Sequence, residues 1–333
     1  MSGRPGVKVG GWALTFVLSM ALAGCDPGFD PRTLVTGLRI LAVQAEPAEV
    51  EPGQDMTMRA LVAYPGQSDS GLVYGFIACT PSESGCIESE EALVAADGDE
   101  AQAEVEYQKT SVRVGAGLVS NGLLVATGAN LTTPSTILEG AADPIEGRNY
   151  QVQFFACDAE ACLDGDSVSG GVDAIDDLPP EVSVLGIKRG RVSLSEVPNS
   201  NPTVESLELV NDGGDIISVL NGGKLSVGGG QIVTLSAVLP QGTSETYSFI
   251  NDDGESEERV ERMYVGWYST AGEFSEATTL VDADSSTSEE RSQVEFELPA
   301  QTDLNGESVG VYVVVWDRRG GIGWLTADLE IEP

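Results

Sequence analysis

The order of apolar and polar positions along the chain predicts short β-strands rather than long helices. An apolar run at 38–43 is followed by a turn at 51–54, and apolar and polar residues then alternate over 55–64. A period of two is typical of a strand with one buried face. The 40 glycines and the low aromatic content of 6% also favour many turns and strands. We therefore expect an all-β protein.

The strand pattern occurs twice. Residues 50–62 align without gaps with 227–239, and Val, Gly, Gln, Thr and Ala are identical at matching positions. Each copy follows a leucine-containing strand and precedes a strand with a central aromatic residue and then a late strand. The leucine-containing strands are 38–43 and 204–210, and the strands with a central aromatic residue are 72–78 and 263–269. The late strands are 150–156 and 309–316. Two copies in register indicate duplicated domains.

This strand order is typical of an antiparallel sandwich with Greek-key connections. Four stretches carry a family likeness: Leu38–Pro65, Lys188–Val192, Pro198–Pro202 and Val313–Gly321. Through them the mature chain resembles poorly characterised bacterial lipoproteins with tandem immunoglobulin-like domains. The resemblance implies an all-β fold of two antiparallel immunoglobulin-like β-sandwich domains in tandem, after a signal peptide and short linker. It implies no catalytic residues.

The expected domain organisation has four parts. They are a lipoprotein signal peptide (1–24), a lipidated N-terminus and linker (25–36), sandwich domain 1 (37–197) and sandwich domain 2 (203–333). Two prolines and two asparagines at 198–202 form a poor strand, so we expect the boundary there. Residues 110–145, rich in Gly, Thr and Ala, fit either two irregular strands or a long loop.

The N-terminal leader predicts where in the cell the protein is located. Arg4 and Lys8 precede an apolar stretch, 12–21, which has the length of a signal peptide and is too short to span a bilayer. The Leu22–Cys25 motif that closes it resembles the lipobox of bacterial lipoproteins. The resemblance implies thioether lipidation of Cys25, cleavage between Gly24 and Cys25, and acylation of the new N-terminus, palmitate included. An ordinary secretory signal with a chance cysteine is the alternative.

We accordingly expect a membrane partner through the lipid anchor at Cys25, with the body outside the cytoplasm of a bacterial cell. The outer membrane or the cell surface is favoured. Asp26 resembles an inner-membrane retention signal of enteric bacteria, so the inner membrane stays open.

Charge and histidine content exclude several function classes. The formal net charge is −36, which argues against nucleic-acid binding, because such binding needs basic residues to displace counterions. The chain has no histidine, which removes histidine-based triads and the usual zinc sites. We expect no catalytic residues, no metal site and no cofactor.

Two motifs look chemical. Gly306–Gly310 fits the nucleophile-elbow pattern around Ser308, but the chain offers no histidine base, so we do not expect a catalytic serine. The segments 251–255 and 282–284 are acidic and are candidates for calcium. Neither follows the EF-hand spacing, and acidic turns explain them equally well.

The four cysteines that follow Cys25 predict two disulfides, as is usual in an exported protein. Cys79 and Cys157 are expected at opposite ends of neighbouring antiparallel strands, which is too far for a bridge. We therefore expect the local pairs Cys79–Cys86 and Cys157–Cys162. A four-cysteine metal site is the alternative, and its usual paired short spacing is absent.

All three tryptophans of the mature chain, Trp267, Trp316 and Trp324, lie in the second predicted domain. Core or cross-strand packing is one interpretation, and a sugar-stacking platform is the other. The leading hypothesis is a non-enzymatic, lipid-anchored envelope protein that serves as a structural or adhesion module for an unknown envelope protein or glycan. A carbohydrate- or calcium-binding surface protein is the alternative, and a carboxylate-based glycosidase has no motif to support it.

Overall fold

Strands dominate the computed structural model, which confirms the all-β prediction. It describes residues 31–67, 70–79, 109–141, 143–163, 178–210, 213–251, 255–282, 289–304 and 308–332. The predicted signal peptide, Gly24, Cys25 and Cys86 lie outside these ranges. From Arg32 onward the chain is one compact unit. We call residues 32–192 the N-terminal half and residues 206–332 the C-terminal half.

The N-terminal half contains eight described strands and one short helix. Their bounds are β1 (Arg39–Glu46), β2 (Glu49–Val50), β3 (Asp55–Ala63), β4 (Gly71–Cys79), β5 (Lys109–Leu118), β6 (Leu123–Thr132), β7 (Arg148–Asp158), α1 (Ala159–Leu163) and β8 (Ser183–Val192). One sheet has the order β1-β3-β6 and the other β2-β8-β7-β4-β5. A single apolar cluster draws side chains from both sheets, including Met56 and Met58 of β3 and Phe76 and Phe154 of β4 and β7.

The C-terminal half contains twelve described strands. Their bounds are β9 (Ser206–Val210), β10 (Ile216–Val219), β11 (Gly223–Gly228), β12 (Ile232–Pro240), β13 (Thr246–Ile250), β14 (Ser256–Val260), β15 (Tyr264–Ser269), β16 (Glu273–Phe274), β17 (Thr278–Leu280), β18 (Glu289–Glu297), β19 (Val309–Trp316) and β20 (Ile322–Glu332). A 3₁₀ turn, Gln301–Asp303, precedes β19.

Two five-stranded sheets of the C-terminal half, β10-β9-β12-β18-β16 and β11-β20-β19-β15-β17, contribute to one core. Trp267 is fully buried in it, and its indole N–H donates to Thr279 Oγ1 at 2.7 Å. The rings of Phe274 and Phe296 stack in the same core, with centroids 4.4 Å apart. Strands β13 and β14 form a separate two-stranded hairpin.

The two halves have the same strand order. The sheet β1-β3-β6 corresponds to β9-β12-β18, and β2-β8-β7-β4-β5 corresponds to β11-β20-β19-β15-β17. The pairs β2–β8 and β11–β20 are parallel, whereas all the other strand pairs within the described sheets are antiparallel. Strands β3 and β12 are the repeated segments that the alignment of 50–62 with 227–239 identified. The β13–β14 hairpin has no counterpart in the described N-terminal half, where the short segment 64–70 joins β3 to β4.

Most of the segment 110–145 forms two strands, β5 and β6, and its described residues after 132 form turns. Strands β5 and β6 are joined by a tight turn in which Asn121 and Gly122 have φ values of 50° and 72°. Two successive positive φ angles are the requirement of a type I′ hairpin turn, and an Asn-Gly pair meets it at little cost. Turns at 135–140 and 144–146 precede β7.

The cysteine geometry agrees with local pairing. Cys157 and Cys162 form a disulfide with a Cα–Cα distance of 6.1 Å, as predicted. In the β4–β7 ladder, Cys79 lies opposite Gln151 and Cys157 lies opposite Val73, so the two cysteines are at opposite ends of neighbouring strands. The pair Cys79–Cys86 stays a prediction, because Cys86 lies outside the described residues.

A second apolar cluster joins the two halves. Leu41 and Leu61 of β1 and β3 pack with Tyr312 and Val314 of β19, and Trp324 of β20 packs against the same cluster. Strand β19 is therefore buried on both faces, and β20 is buried on one face and half-buried on the other over residues 322–328.

The start of the N-terminal half and the connection that follows it, 198–202, also join this junction. Val35, in the segment expected to be a linker, is buried, and its N–H donates to the Ser269 carbonyl of β15 at 2.8 Å. Residues 198–202 form no strand, in agreement with their composition, but Asn199 and Pro202 are buried. This connection is packed rather than extended into solvent.

A substitution at Gly323 of β20 tests the close contact between the connection 198–202 and the β19–β20 hairpin. A Cβ at Gly323 would overlap the Pro202 carbonyl oxygen. We expect Gly323→Ala to lower the free energy of unfolding by about 1–3 kcal/mol through overpacking. Gly37→Ala is the matched control, because open space surrounds that position. Urea denaturation measures both, and equal midpoints for the two variants would contradict the packing.

Candidate functional site

The turn between β19 and β20 positions the central residue of a buried charge cluster. Asp317 Oδ1 accepts hydrogen bonds from the backbone N–H groups of Arg319, Gly320 and Gly321 at 2.7, 2.6 and 2.8 Å. Gly320 has a φ of 109°, a conformation that favours glycine. The side chain of Asp317 therefore fixes the turn, and the turn directs Arg319 toward the N-terminal half.

Arg319 bridges the two halves. Its Nη2 lies 3.0 Å from Glu49 Oε2, and its Nη1 lies 3.0 Å from Glu261 Oε1 and 3.5 Å from Glu245 Oε2. The guanidinium also lies over the ring of Tyr247, 4.7 Å from its centroid. Exposed fractions of the side chains are 6% for Arg319, 1% for Glu49 and 3% for Glu261. These are ion pairs removed from water.

Glu49 is fully engaged by the N-terminal half and its connection. The backbone N–H of Asn199 donates to Glu49 Oε2 at 2.7 Å, and the hydroxyl of Ser193 donates to Oε1. Arg191 Nε lies 3.2 Å from the same Oε1. Because a buried carboxylate is costly unless it is paired and hydrogen-bonded, these contacts explain how Glu49 is tolerated there.

Two further side chains, Lys188 and Asn199, hold the β19–β20 turn in place. Lys188 is buried and its Nζ donates to the carbonyl of Gly320, while Asn199 Nδ2 donates to Asp317 Oδ2 at 3.1 Å. Burial lowers the pKa of Lys188 to about 8, against the opposing attraction of Asp317. Burial raises the pKa of Asp317, although the hydrogen bonds from Asn199 and the turn oppose this shift.

The carboxyl of Glu261 has a raised pKa. Burial, followed by the charge of Asp317, raises its pKa from 4.5 to about 7, while a hydrogen bond from the Glu245 N–H and the charge of Arg319 oppose the shift. The carboxyl of Glu261 therefore changes its protonation state near neutral pH.

A cleft of about 590 Å³ lies beside this cluster. Its walls come from the loop 143–146, the segment 191–197, the β13–β14 hairpin and the β19–β20 turn. The residues of these elements that line it are Asp143, Ile145, Glu146, Arg191, Leu194, Ser195, Glu196, Val197, Thr246, Tyr247, Ser248, Phe249, Ser256, Glu258, Arg318 and Arg319. Both halves contribute, so the arrangement can bind a ligand between them.

The motifs that the sequence singled out lie elsewhere. Ser308 is exposed and directly precedes β19, a strand, while Gly306 lies outside the described residues. Asn251 Oδ1 accepts the N–H of Glu255 at 2.9 Å, so these residues close the β13–β14 turn. Residues 252–254 and Asp284 lie outside the described ranges. The described residues contain no group of three His, Cys, Asp or Glu side chains that could hold a metal ion.

The tryptophans pack against other side chains. Trp267 lies in the core of the C-terminal half, whereas Trp316 and Trp324 are half-buried at the cluster between the halves. Trp316 stacks on Tyr264 with ring centroids 6.2 Å apart, and the guanidinium of Arg59 lies 5.1 Å from the centroid of the Trp324 ring. This is the packing interpretation, and the three rings do not form an exposed platform.

Sequence reasoning missed the charge cluster. Its members are scattered over 270 positions between Glu49 and Arg319, and in a chain with 53 acidic residues a single Glu predicts only an exposed surface. One local signal was present in the sequence: Glu49 lies between two apolar residues, Ala48 and Val50. The structure buries both of them.

No protein-family model matches the chain, and no curated protein matches it. Among solved structures, the chain is similar to red sea bream transglutaminase at 8% identity and a TM-score of 0.26, covering 90% of this chain and 32% of that one. It is also similar to dimeric latent PorU of Porphyromonas gingivalis at 11% identity and a TM-score of 0.22, covering 92% and 25%. For activated Escherichia coli alpha-2-macroglobulin the identity is 8%, the TM-score 0.22 and the coverage 91% and 23%.

The chain thus spans about a third or less of the length of these proteins. TM-scores this low carry no argument about function. Among the described residues, no helix has the length and apolar character needed to cross a bilayer.

The contribution of the buried Arg319 to stability can be tested by comparison with the exposed Arg318. Arg319→Met leaves Glu49 and Glu261 without their shared cation, so we expect the free energy of unfolding to fall by about 3–5 kcal/mol. Arg318→Met is the matched control, because Arg318 is exposed and donates only to the hydroxyl of Tyr264 among the described residues. We expect the control to change stability by less than about 1 kcal/mol. Urea denaturation at fixed pH compares them, and equal losses would contradict the cluster.

The pKa of Glu261 predicts a pH dependence. Between pH 4.5 and 7 the folded protein keeps a proton on Glu261 that the unfolded chain has lost. The free energy of unfolding of the wild type therefore falls, relative to that of Glu261→Gln, as pH rises through this window, and the difference levels off above it. Denaturation at half-unit steps of pH measures the difference. Glu276→Gln, at an exposed position, serves as control, and superimposable profiles for wild type and Glu261→Gln would contradict the assignment.

Proposed function

We propose that this protein is a non-enzymatic, lipid-anchored lipoprotein of a bacterial cell envelope. Its two halves are immunoglobulin-like β-sandwich domains in tandem, and together they act as one rigid interaction or adhesion module. The partner is an envelope protein or glycan, and the module presents loops and sheet edges to it.

The observation that carries this proposal is the packed junction between two halves that share the strand order of one five-stranded sheet and of three strands of the other sheet. The order β2-β8-β7-β4-β5 recurs as β11-β20-β19-β15-β17, with the parallel pair at the same place in each. Arg319 and the apolar cluster around Val314 then tie one half to the other. A rigid body that spans two domains suits holding a partner at a defined geometry, and it needs no chemistry of its own.

The side chains that could act as nucleophiles, acids or bases support a binding role rather than catalysis. The hydroxyl of Ser193 is committed to Glu49, and Ser308 lies exposed before a strand. The chain has no histidine to activate either hydroxyl. The carboxylates of Glu49 and Glu261 are bound to Arg319, so they serve packing rather than hydrolysis.

The lipid anchor rests on the leader, Leu22–Cys25, and on its resemblance to a lipobox. Acyl chains on Cys25 provide membrane affinity in proportion to the buried methylene groups, about 0.8 kcal/mol each. A short segment, 26–32, then connects Cys25 to residues that pair with β15.

The anchor is tested by comparing the native protein with Cys25→Ser. We expect the intact mass of the wild type to equal that of residues 25–333 plus the attached acyl chains. We also expect this protein to float with one membrane fraction. The Cys25→Ser protein should lack the acyl mass and stay soluble. Cys162→Ser controls for loss of a cysteine elsewhere and should float like the wild type. Identical behaviour of wild type and Cys25→Ser would refute the lipoprotein proposal.

A further inference from the structure

Strand β10 forms an edge of the C-terminal half. It pairs with β9 in the sheet β10-β9-β12-β18-β16, and no described strand pairs with its other side. The described N-terminal half has no counterpart of β10, because β1, the equivalent of β9, is the last strand of its sheet. An unpaired edge presents backbone N–H and C=O groups that a further strand can satisfy. The backbone of β10 is therefore able to take one more strand.

The side chains of β10 are mostly apolar and exposed. Ile216 exposes 62% of its surface and Ile217 38%, and Leu220, which directly follows the strand, exposes 67%. The whole segment 216–223 contains no charged residue. A charged side chain on an edge discourages pairing with other chains. Strand β11, which is also an edge, has such a residue in the exposed Lys224, whereas β10 has none.

The pairing of β10 with β9 fixes the direction of its side chains. Val219 lies opposite Leu207, a residue of the core of the C-terminal half, and is itself buried. Because side chains alternate along a strand, Ile217 is on the same face as Val219, whereas Ile216 and Ser218 are on the outer face. The edge thus offers an unpaired backbone with apolar groups on both faces, which is typical of a site where a strand is added.

We propose that β10 pairs edge to edge with β10 of a second copy of this chain, antiparallel about a two-fold axis at Ser218. Residues directly opposite in an antiparallel pair have the same backbone orientation, so a residue of the strand can face itself or a residue an even number of positions away. With Ser218 opposite its own equivalent, Ile216 lies opposite Leu220 of the second copy. Ile217 then lies opposite Val219. Apolar groups meet apolar groups, hydroxyl meets hydroxyl, and two five-stranded sheets become one.

The adjacent register is less favourable. An axis at Ile217 would place Ile216 opposite Ser218 and Asp215 opposite Val219, so that each of these pairs joins an apolar group to a polar one. With the axis at Ser218, Asp215 lies beyond the apolar pairs, opposite Asn221. No carboxylate of the strand then faces another carboxylate. The segment is therefore complementary to itself, which favours a second copy over an unrelated strand as the occupant.

The charges on the strands beside this edge are paired within one copy. Glu208 of β9 lies 2.5 Å from Arg291, and Lys224 of β11 lies 3.1 Å from Glu330. The net charge of −36 opposes association, but charges farther apart than the Debye length, about 8 Å at physiological ionic strength, are largely screened. A pairing over 216–220 is small beside the roughly 1,200–2,000 Å² of stable interfaces. We therefore expect a weak dimer that forms at high protein concentration.

Disulfide trapping tests the pairing, because it captures a weak dimer. Cα atoms directly opposite in an antiparallel pair are roughly 4.5–5.5 Å apart, which suits a disulfide. We expect Ser218→Cys, under mild oxidation of the whole purified protein, to give a disulfide-linked dimer on a non-reducing gel. Ser256→Cys, at an exposed position of β14, is the matched control for random collision. It should give no more dimer than the wild type.

A second pair of variants tests the apolar contacts. Ile216→Lys, made in the Ser218→Cys protein, places a lysine opposite Leu220 on both sides of the axis. We expect the trapped dimer to fall about tenfold, because two apolar cross-strand pairs are lost. Ile232→Lys makes the same change on β12, in the middle of the sheet, where the side chain is 56% exposed. It should leave trapping unchanged, and neither lysine should change the unfolding temperature.

Three results would overturn the proposal. The first is equal trapping of Ser218→Cys and Ser256→Cys, and the second is an equal effect of Ile216→Lys and Ile232→Lys. The third is trapping of Ser218→Cys on a different protein, but not on a second copy, when intact cells are oxidised, which would assign the edge to a foreign strand. The inference does not depend on the lipid anchor, so its failure leaves the Cys25 experiment untouched.

Discussion

Burial of the β19–β20 hairpin on both of its faces is the constraint on which the rest of the structure depends. Val311 and Val313 point into the core of the C-terminal half, while Tyr312 and Val314 pack on β1 and β3 of the N-terminal half. The turn at the end of the hairpin then carries the charge cluster. One supersecondary element thus completes a core, forms the apolar contact between the halves and places Arg319.

The charge cluster and the apolar contact have different roles in the junction. Apolar surface gains free energy in proportion to the area removed from water, and it tolerates sliding. A guanidinium that must contact Glu49 and Glu261 at the same time does not tolerate sliding, because its donors are fixed in one plane. The desolvation of these ions offsets much of their attraction, so their main contribution is to orientation.

Much of the fold was accessible from the sequence, because strand periodicity is local. The in-register repeat of 50–62 and 227–239 identified the equivalent strands β3 and β12, and the cysteine positions on β4 and β7 excluded a long bridge. The packing between the halves is not local, yet it left a trace in β19. Residues 309–316 contain no polar alternation, which is what a strand buried on both faces requires. The Arg319 cluster left only the apolar neighbours of Glu49 as a trace, because Glu49 and Arg319 are 270 positions apart and meet only when the halves dock.

The place of β20 within its sheet affects the order in which the molecule can be completed. It lies between β11 and β19 instead of at an edge. A chain made from its N-terminus therefore cannot close the second core until residues 322–332 have left the ribosome or a secretion channel. Until the β19–β20 hairpin is made, the outer surface of β1 and β3 lacks its cover, and Glu49 lacks its contact with Arg319. Docking of the halves in this arrangement therefore requires β19 and β20 to have been made, and a chaperone that shields β1 and β3 would act before that point.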